Sequence, residues 1–249
     1  MERRLQPVKE HKMNGTEWLN KLPEQYSVER DKLVLKGIED GVLQSTWSAV
    51  KSEFEGEEAI FSVTSDALHA VLDDGSRFRP QCTAVLQQKC ADLLAASLPT
   101  AKMMDLSYAQ AEVKLDCQPL AASGKMTYTS ASKEYNLLLE KKRGNREGLI
   151  RDCGKSWILS NKMSKSSNTA VNHGFYSSSG PARSGLGQKL YQNEGAAHNK
   201  LHTDYSQVII LMSSECLLNN ELVKVTDLMS HPKLSKLLNY SGKLYFNKV

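Results

Sequence analysis

The stretch YSQVIILMSSECLLNNELVKV, Tyr205 to Val225, decides the fold class. It reads as two strands joined near Asn219–Asn220, a pair that tolerates the left-handed turn of a tight hairpin. Val208–Met212 is apolar on both faces, which predicts a strand in the centre of a sheet. Further strands fit around it. STWSAVKSEF and EAIFSVTSD alternate in polarity on either side of the charged EGEE and predict a hairpin. SWILSN, AVNHGFY and GKLYF predict short strands, and DDGSRFRP is a turn-rich connection.

Between these lie helical patterns. Ser27 can cap a helix running to Gly41, with Leu33, Leu35 and Ile38 on its apolar face. PQCTAVLQQKCADLLAASLPTAKMMDLSYAQAEV predicts two helices, interrupted at Pro99, the second capped by Thr100. SASKEYNLLLEKKRGNREG predicts another, and VTDLMSHPKLSKLLN a final one capped by Thr226. The pattern predicts an α/β (α+β) protein: a mixed, largely antiparallel central sheet with N-terminal and middle helices packed against it. Residues 1–28 are expected to form an arm with a short helix. Residues 29–249 are expected to form one domain, helical over 80–145 and strand-rich, bearing the site, over 146–249.

The chain has 249 residues, enough for a substantial core. Apolar residues make up 40% and charged residues 24%, the balance of an ordinary water-soluble domain. A net charge of +4 permits an anionic partner without demanding one. No segment approaches the roughly 18 apolar residues of a membrane span. The start MERRLQPVKEHKMNGTEWLNKL lacks the apolar run of a secretory signal, so a cytoplasmic location, or release by an unconventional route, is expected. Five cysteines (Cys82, Cys90, Cys117, Cys153, Cys216), with no zinc-knuckle spacing, predict free thiols.

Six histidines occur: His11, His69, His173, His198, His202 and His231. His198 and His202 are spaced i, i+4, which puts them on one face of a helix or of a strand. Asp204 follows two residues later. Imidazole and carboxylate together serve as metal ligands or as a general acid–base pair. HNKLHTD lacks the glutamate of the His-Glu-x-x-His helix, so zinc on His198, His202 and Asp204 is the lesser reading. Asp227–His231 can supply a further ligand only if its helix folds back. Ser206 can become a nucleophile beside His173 or His198, although no G-x-S-x-G elbow is present. Cys153 has Lys155 nearby to lower its pKa. Tyr176 is a further substrate-binding candidate. GPARSGLGQK is not a phosphate-binding Walker loop, but Arg183 and Lys189 can close on an anionic substrate if that loop is a lid.

Several patches together resemble a group of uncharacterised bacterial and phage-associated proteins. LPTAKMMDLSYAQAEVKL is similar to the group's leucine-proline-threonine helix, and CGKSWILS to its Gly-Lys strand. NHGFY stands where the group has a tyrosine-glycine-tryptophan-histidine strand, and HNKLHTDYSQV where it has a histidine before an Asp-Tyr-Ser-His-Gly block. The resemblance runs from about Leu98 to Tyr240. It implies an arrangement rather than an activity, bringing forward Lys155, His173, His198, Asp204, Tyr205 and Ser206. Gln207 replaces the group's second histidine, and His202 falls outside the shared pattern.

Three functions remain open. The first is a hydrolase on a polar, polymeric substrate such as bacterial cell wall, with His198 as base and Asp204 as its partner. Ser206, Tyr205 and Lys155 would bind substrate or stabilise an oxyanion. The second is a non-catalytic binding protein using its Ser/Gly loops. The third is a nucleotide- or nucleic-acid-directed protein using Lys141, Lys142, Arg143, Arg146, Lys155 and Arg183.

Overall fold

A computed structural model describes residues 13–116 and 119–249. Asn14 caps α1 (Gly15–Lys21) through a reciprocal pair: its side chain accepts from Glu17 N–H, and the Glu17 carboxylate accepts from Asn14 N–H. Trp18 is fully buried and donates its indole N–H to Leu33 O on α2 (Val28–Glu39) at 2.9 Å. Ser27 caps α2, as its sequence predicts. From Met13 on, the expected arm is therefore docked into the core, because Trp18 is its most apolar residue and finds a partner helix. Residues 1–12, with His11, lie outside the described residues, as does Cys117.

After β1 (Leu43–Gln44) comes the hairpin of β2 (Trp47–Phe54) and β3 (Glu57–Thr64), in register from Trp47↔Thr64 to Phe54↔Glu57. Glu55 and Gly56 have φ of 51° and 85°, the turn that matches strand twist. Val50, Ala59, Phe61 and Val63 point into the core. The DDGSRFRP connection is itself a hairpin, β4 (His69–Val71) and β5 (Arg77–Phe78), which joins β1 in a separate sheet.

Helix α3 (Ala84–Leu93) is capped by Thr83, then β6 (Ala96–Ser97) intervenes, and α4 (Ala101–Ala109) is capped by Thr100. β7 (Val113–Lys114), α5 (Thr129–Arg143) and β8 (Ile150–Arg151) follow, with β7 and β8 paired in parallel. β9 (Lys155–Ile158), β10 (Thr169–Tyr176), β11 (Ala182–Arg183) and β12 (Lys189–Asn199) form an antiparallel sheet ordered β11-β12-β10-β9. β13 (Met212–Leu218) and β14 (Glu221–Lys224) close the sheet β14-β13-β3-β2, with β6 beside the start of β13. Asn219 and Asn220, with φ of 48° and 71°, make the predicted turn. α6 (Val225–Ser230) packs below.

The class is mixed α/β with largely antiparallel strands, which among the described residues are dealt into four sheets. Three local expectations fail. Val208 makes only an isolated bridge and Ile209–Leu211 is irregular, with the strand beginning at Met212. The segment is buried on both sides, but its backbone is shared out: Leu68 N–H donates to Ile209 O and Thr64 N–H to Leu211 O, while the Gln87 amide donates to Ile210 O. It is a bolt between sheets, not a member of one. Thr226 does not cap α6, which begins at Val225 and stops before His231–Pro232. GKLYF is no strand; Leu244 is buried and its N–H bonds Met229 O.

Candidate functional site

The site is built on one close backbone approach. Gly154 has φ +146°, and a Cβ there would lie 2.3 Å from Ser206 O. Without a side chain at 154, Lys155 N–H donates to Ser206 O at 2.8 Å and Val208 N–H to Lys155 O at 2.9 Å. These two bonds clip the start of β9 to the turn at Asp204–Gln207, closed by Gln207 N–H to Asp204 O at 3.0 Å. Gly154→Ala is expected to cost about 2–3 kcal/mol and to part Lys155 from Asp204. Chemical unfolding, with a shift in the amide resonances of residues 204–207, checks both.

Asp204 is the hub. Its Oδ1 accepts from Ser206 N–H at 2.8 Å and from Ser206 Oγ at 2.6 Å. Its Oδ2 holds the Lys155 ammonium at 2.8 Å and faces His202 Nε2 at 3.8 Å. Burial opposes ionisation of Asp204, but His202, Lys155 and Ser206 outweigh it and hold the carboxyl well below the usual range. Ser206 Oγ is thereby committed to Asp204 rather than to a histidine base.

His198 is the penultimate residue of β12, opposite Ala170, and His202 lies just past the following turn. Their rings stack with centroids 3.9 Å apart and planes 5° from parallel. The i, i+4 pair is thus close because the chain turns, not because it continues as helix or strand. Burial, then His202 and Lys155, push the His198 pKa down against the pull of Asp204. The histidine facing Asp204 is His202, not the expected His198. Beside this cluster a pocket of about 260 Å³ is lined by Lys155, Phe175, Tyr191, Gln192, Asp204 and Tyr205. Tyr205 is held by its own N–H to Met126 O and by Leu120 N–H to its hydroxyl at 2.7 Å.

His173 and Tyr176 do not join this cluster. On β10, Gly174 pairs with Lys155 and His173 with Ser156, and the His173 ring is turned toward Asp105 on α4. There its Nδ1 accepts from Glu194 N–H at 3.2 Å, which leaves the proton on Nε2 to donate to Asp105 Oδ1 at 2.8 Å. Tyr176 donates to the same oxygen at 2.7 Å. Tyr240 donates to Asp105 Oδ2 at 2.7 Å, and Gly185 N–H at 3.2 Å. His173 and Tyr176 are fully buried and hold structure together; the roles expected of them in catalysis and substrate binding are withdrawn.

Other candidates are also engaged elsewhere. Arg183 donates to Gly187 O at 3.0 Å and so braces its own turn, and Lys189 bonds Ser178 O. Cys153 is buried, and burial, with Asp66 adding, pushes its thiol up to about 12 despite Arg79 and Arg151, which removes it as a nucleophile. In the basic cluster ending α5, Arg143 sits between Glu140 at 2.7 Å and Glu147 at 3.2 Å, and Arg146 bonds the Arg143 and Lys142 carbonyls. These cations finish a helix. His231 is exposed, and its Nδ1 accepts from Lys233 and Leu234 N–H.

Among the described residues no group of three or more His, Cys, Asp or Glu side chains is placed to hold a metal ion. Of the zinc set, Asp204 Oδ2 already carries the Lys155 ammonium, so the donors do not fit a dication in this arrangement. Sequence reasoning missed Asp105. Its signal was available: four residues after Ala101 and one after Met104, it lies on the buried face of α4. No helix among the described residues is long and apolar enough to cross a membrane. The class defined by fold and site is a mixed α/β protein carrying a Lys–Asp–His cluster on the rim of a small pocket. No known protein family, curated protein or solved structure matches the chain.

Proposed function

We propose that the protein is a hydrolase acting on a polar, polymeric substrate, with cell-wall polymer the first class to try. The observation that carries this reading is the sharing of Asp204 Oδ2 between Lys155 at 2.8 Å and His202 at 3.8 Å, at the edge of a pocket lined with Phe175, Tyr191 and Tyr205. In this reading His202 takes the proton of the attacking water and returns it to the leaving group. Asp204 orients the imidazole and stabilises its charged form. The Lys155 ammonium meets the negative charge that develops on the substrate, and Gln192 and Tyr205 position it.

A second reading, a non-catalytic binding surface, is favoured by the way Lys155, Asp204 and Ser206 satisfy one another. A screen on peptidoglycan fragments, esters and phosphodiesters separates the two. We expect turnover in one class, reduced about 100-fold or more by His202→Ala and by Asp204→Asn, and less by His198→Ala. Wild-type protein inert on all three, or variants at the wild-type rate, would sink the hydrolase and leave the binding surface.

A further inference from the structure

A larger cleft, of about 480 Å³, opens on another part of the molecule, between β2 and the β1-β4-β5 sheet. It shares no lining residue with the pocket at Lys155. Trp47 on β2 lines it and is 45% exposed, whereas the other two tryptophans, Trp18 and Trp157, are fully buried. An indole open beside a cleft offers a broad flat face for a ligand to stack on.

The rest of the lining is polar and held in place. Thr46 Oγ1 donates to Ser65 Oγ at 2.9 Å, and Ser48 Oγ lies 2.8 Å from the same atom, giving a bank of hydroxyls in the cleft that Trp47 also lines. Across from them are His69 and Arg77. His69 Nδ1–H donates to Ala67 O at 2.9 Å, which leaves Nε2 as an acceptor with no partner among the described residues. Burial, with Arg79 and Arg77, pushes the pKa of this imidazole down against the pull of Asp66 and Ala67. Because Nδ1 serves a backbone carbonyl and lies 4.0 Å from Asp66 Oδ2, His69 and Asp66 are not an acid–base dyad.

Charge then selects among ligands with a flat face. Arg77 is balanced by Asp66 at 3.0 Å and by Glu147, so the charged groups lining the cleft are two carboxylates and one guanidinium. With one more carboxylate than guanidinium, the lining gives a phosphate no net attraction and argues against a nucleotide stacked on Trp47. Donors, acceptors and an open indole, with no surplus of positive charge, match a polyhydroxylated ring.

We infer that this cleft binds an uncharged sugar unit of an oligosaccharide, stacked by its C–H face on Trp47 and hydrogen-bonded through its hydroxyls to His69 Nε2, Ser48 and Ser65. The inference goes beyond the hydrolase reading and stands without it. Trp47 alone among the three tryptophans is open to solvent, so acrylamide quenching of tryptophan fluorescence reads this site in the wild-type protein. With chitotetraose or cellotetraose added, quenching should fall saturably at up to about 10 mM sugar, tenfold above a millimolar Kd. By calorimetry, Trp47→Ala should weaken binding about tenfold, and His69→Phe should weaken it as well. Unaltered quenching with both sugars overturns the assignment. So does saturable protection by adenosine monophosphate that neither sugar gives, or sugar affinity untouched by Trp47→Ala.

Discussion

Arg79→Met is expected to lower the free energy of unfolding by about 3–5 kcal/mol. Arg79 is fully buried and binds Asp66 through Nε at 2.7 Å and Nη2 at 2.6 Å, and Glu140 through Nη1 at 2.8 Å. Removing the cation leaves Asp66, itself buried, with only Arg77 at 3.0 Å and its own Ala67 N–H at 2.8 Å. The loss comes mainly from a carboxylate stranded away from water, so the double variant Asp66→Asn, Arg79→Met should recover part of it. Urea unfolding of the four proteins gives the cycle. A single-variant loss under about 1 kcal/mol, the size of an exposed pair, would refute it.

The same network predicts the acid limb of stability. Burial disfavours the charged form of Asp66, but Arg79, then His69 and Arg77, win and hold its pKa well below the usual range. A carboxyl whose folded pKa is depressed stabilises the fold above its unfolded pKa of about 3.9. That contribution fades as pH falls from there toward the folded value, since the unfolded chain binds the proton first. Asp105 and Asp204 are depressed as well, by His173 with two tyrosines and by His202 with Lys155, each against its own burial. Stability should therefore drop steeply below about pH 4, and less steeply in Asp66→Asn, which thermal unfolding against pH reads directly.

Asp105→Ala is the second large effect, again about 3–5 kcal/mol. It strands four donors at once: His173 Nε2–H, the hydroxyls of Tyr176 and Tyr240, and Gly185 N–H. They come from β10, the C-terminal segment and the β11–β12 turn, so the loss loosens three parts of the chain together. Asp105→Asn keeps one acceptor oxygen and should cost less than the alanine. Because the His173 ring is turned toward Asp105 and does not join the Lys155–Asp204 cluster, Asp105→Asn should leave the rate of any Lys155–Asp204 chemistry unchanged per folded molecule. A rate loss of about 100-fold in that variant, with the fold intact, would show that His173 reaches the reaction after all.

Much of the architecture was legible because its signals are local. Ser27 and Thr100 cap their helices through their own side chains. The Glu55–Gly56 and Asn219–Asn220 turns need left-handed backbone, which Gly56 and the two asparagines accept. β12 was not legible: QNEGAAHN has no alternation, and the strand exists because β10 supplies its partners across two register shifts. Val208–Leu211 misled in the opposite direction. Its apolar run reports burial on both faces, which a bolt between sheets needs as much as a central strand does.

For the site, the sequence by itself determined the ingredients: a lysine after a glycine, two histidines four apart, and an aspartate with a serine two residues on. It also determined the Asp204–Ser206 contact, which spans two residues and closes locally. Only the tertiary structure decided the partners. Lys155 reaches Asp204 across forty-nine positions because Gly154 lets Ser206 O approach, and His202 displaces His198 at the carboxylate because the chain turns after Asn199. His173 was lost to the site because Asp105 on α4 and the Glu194 N–H hold its ring. Which face holds the pocket and which the core is set by α4 and Asp105, far away in the chain.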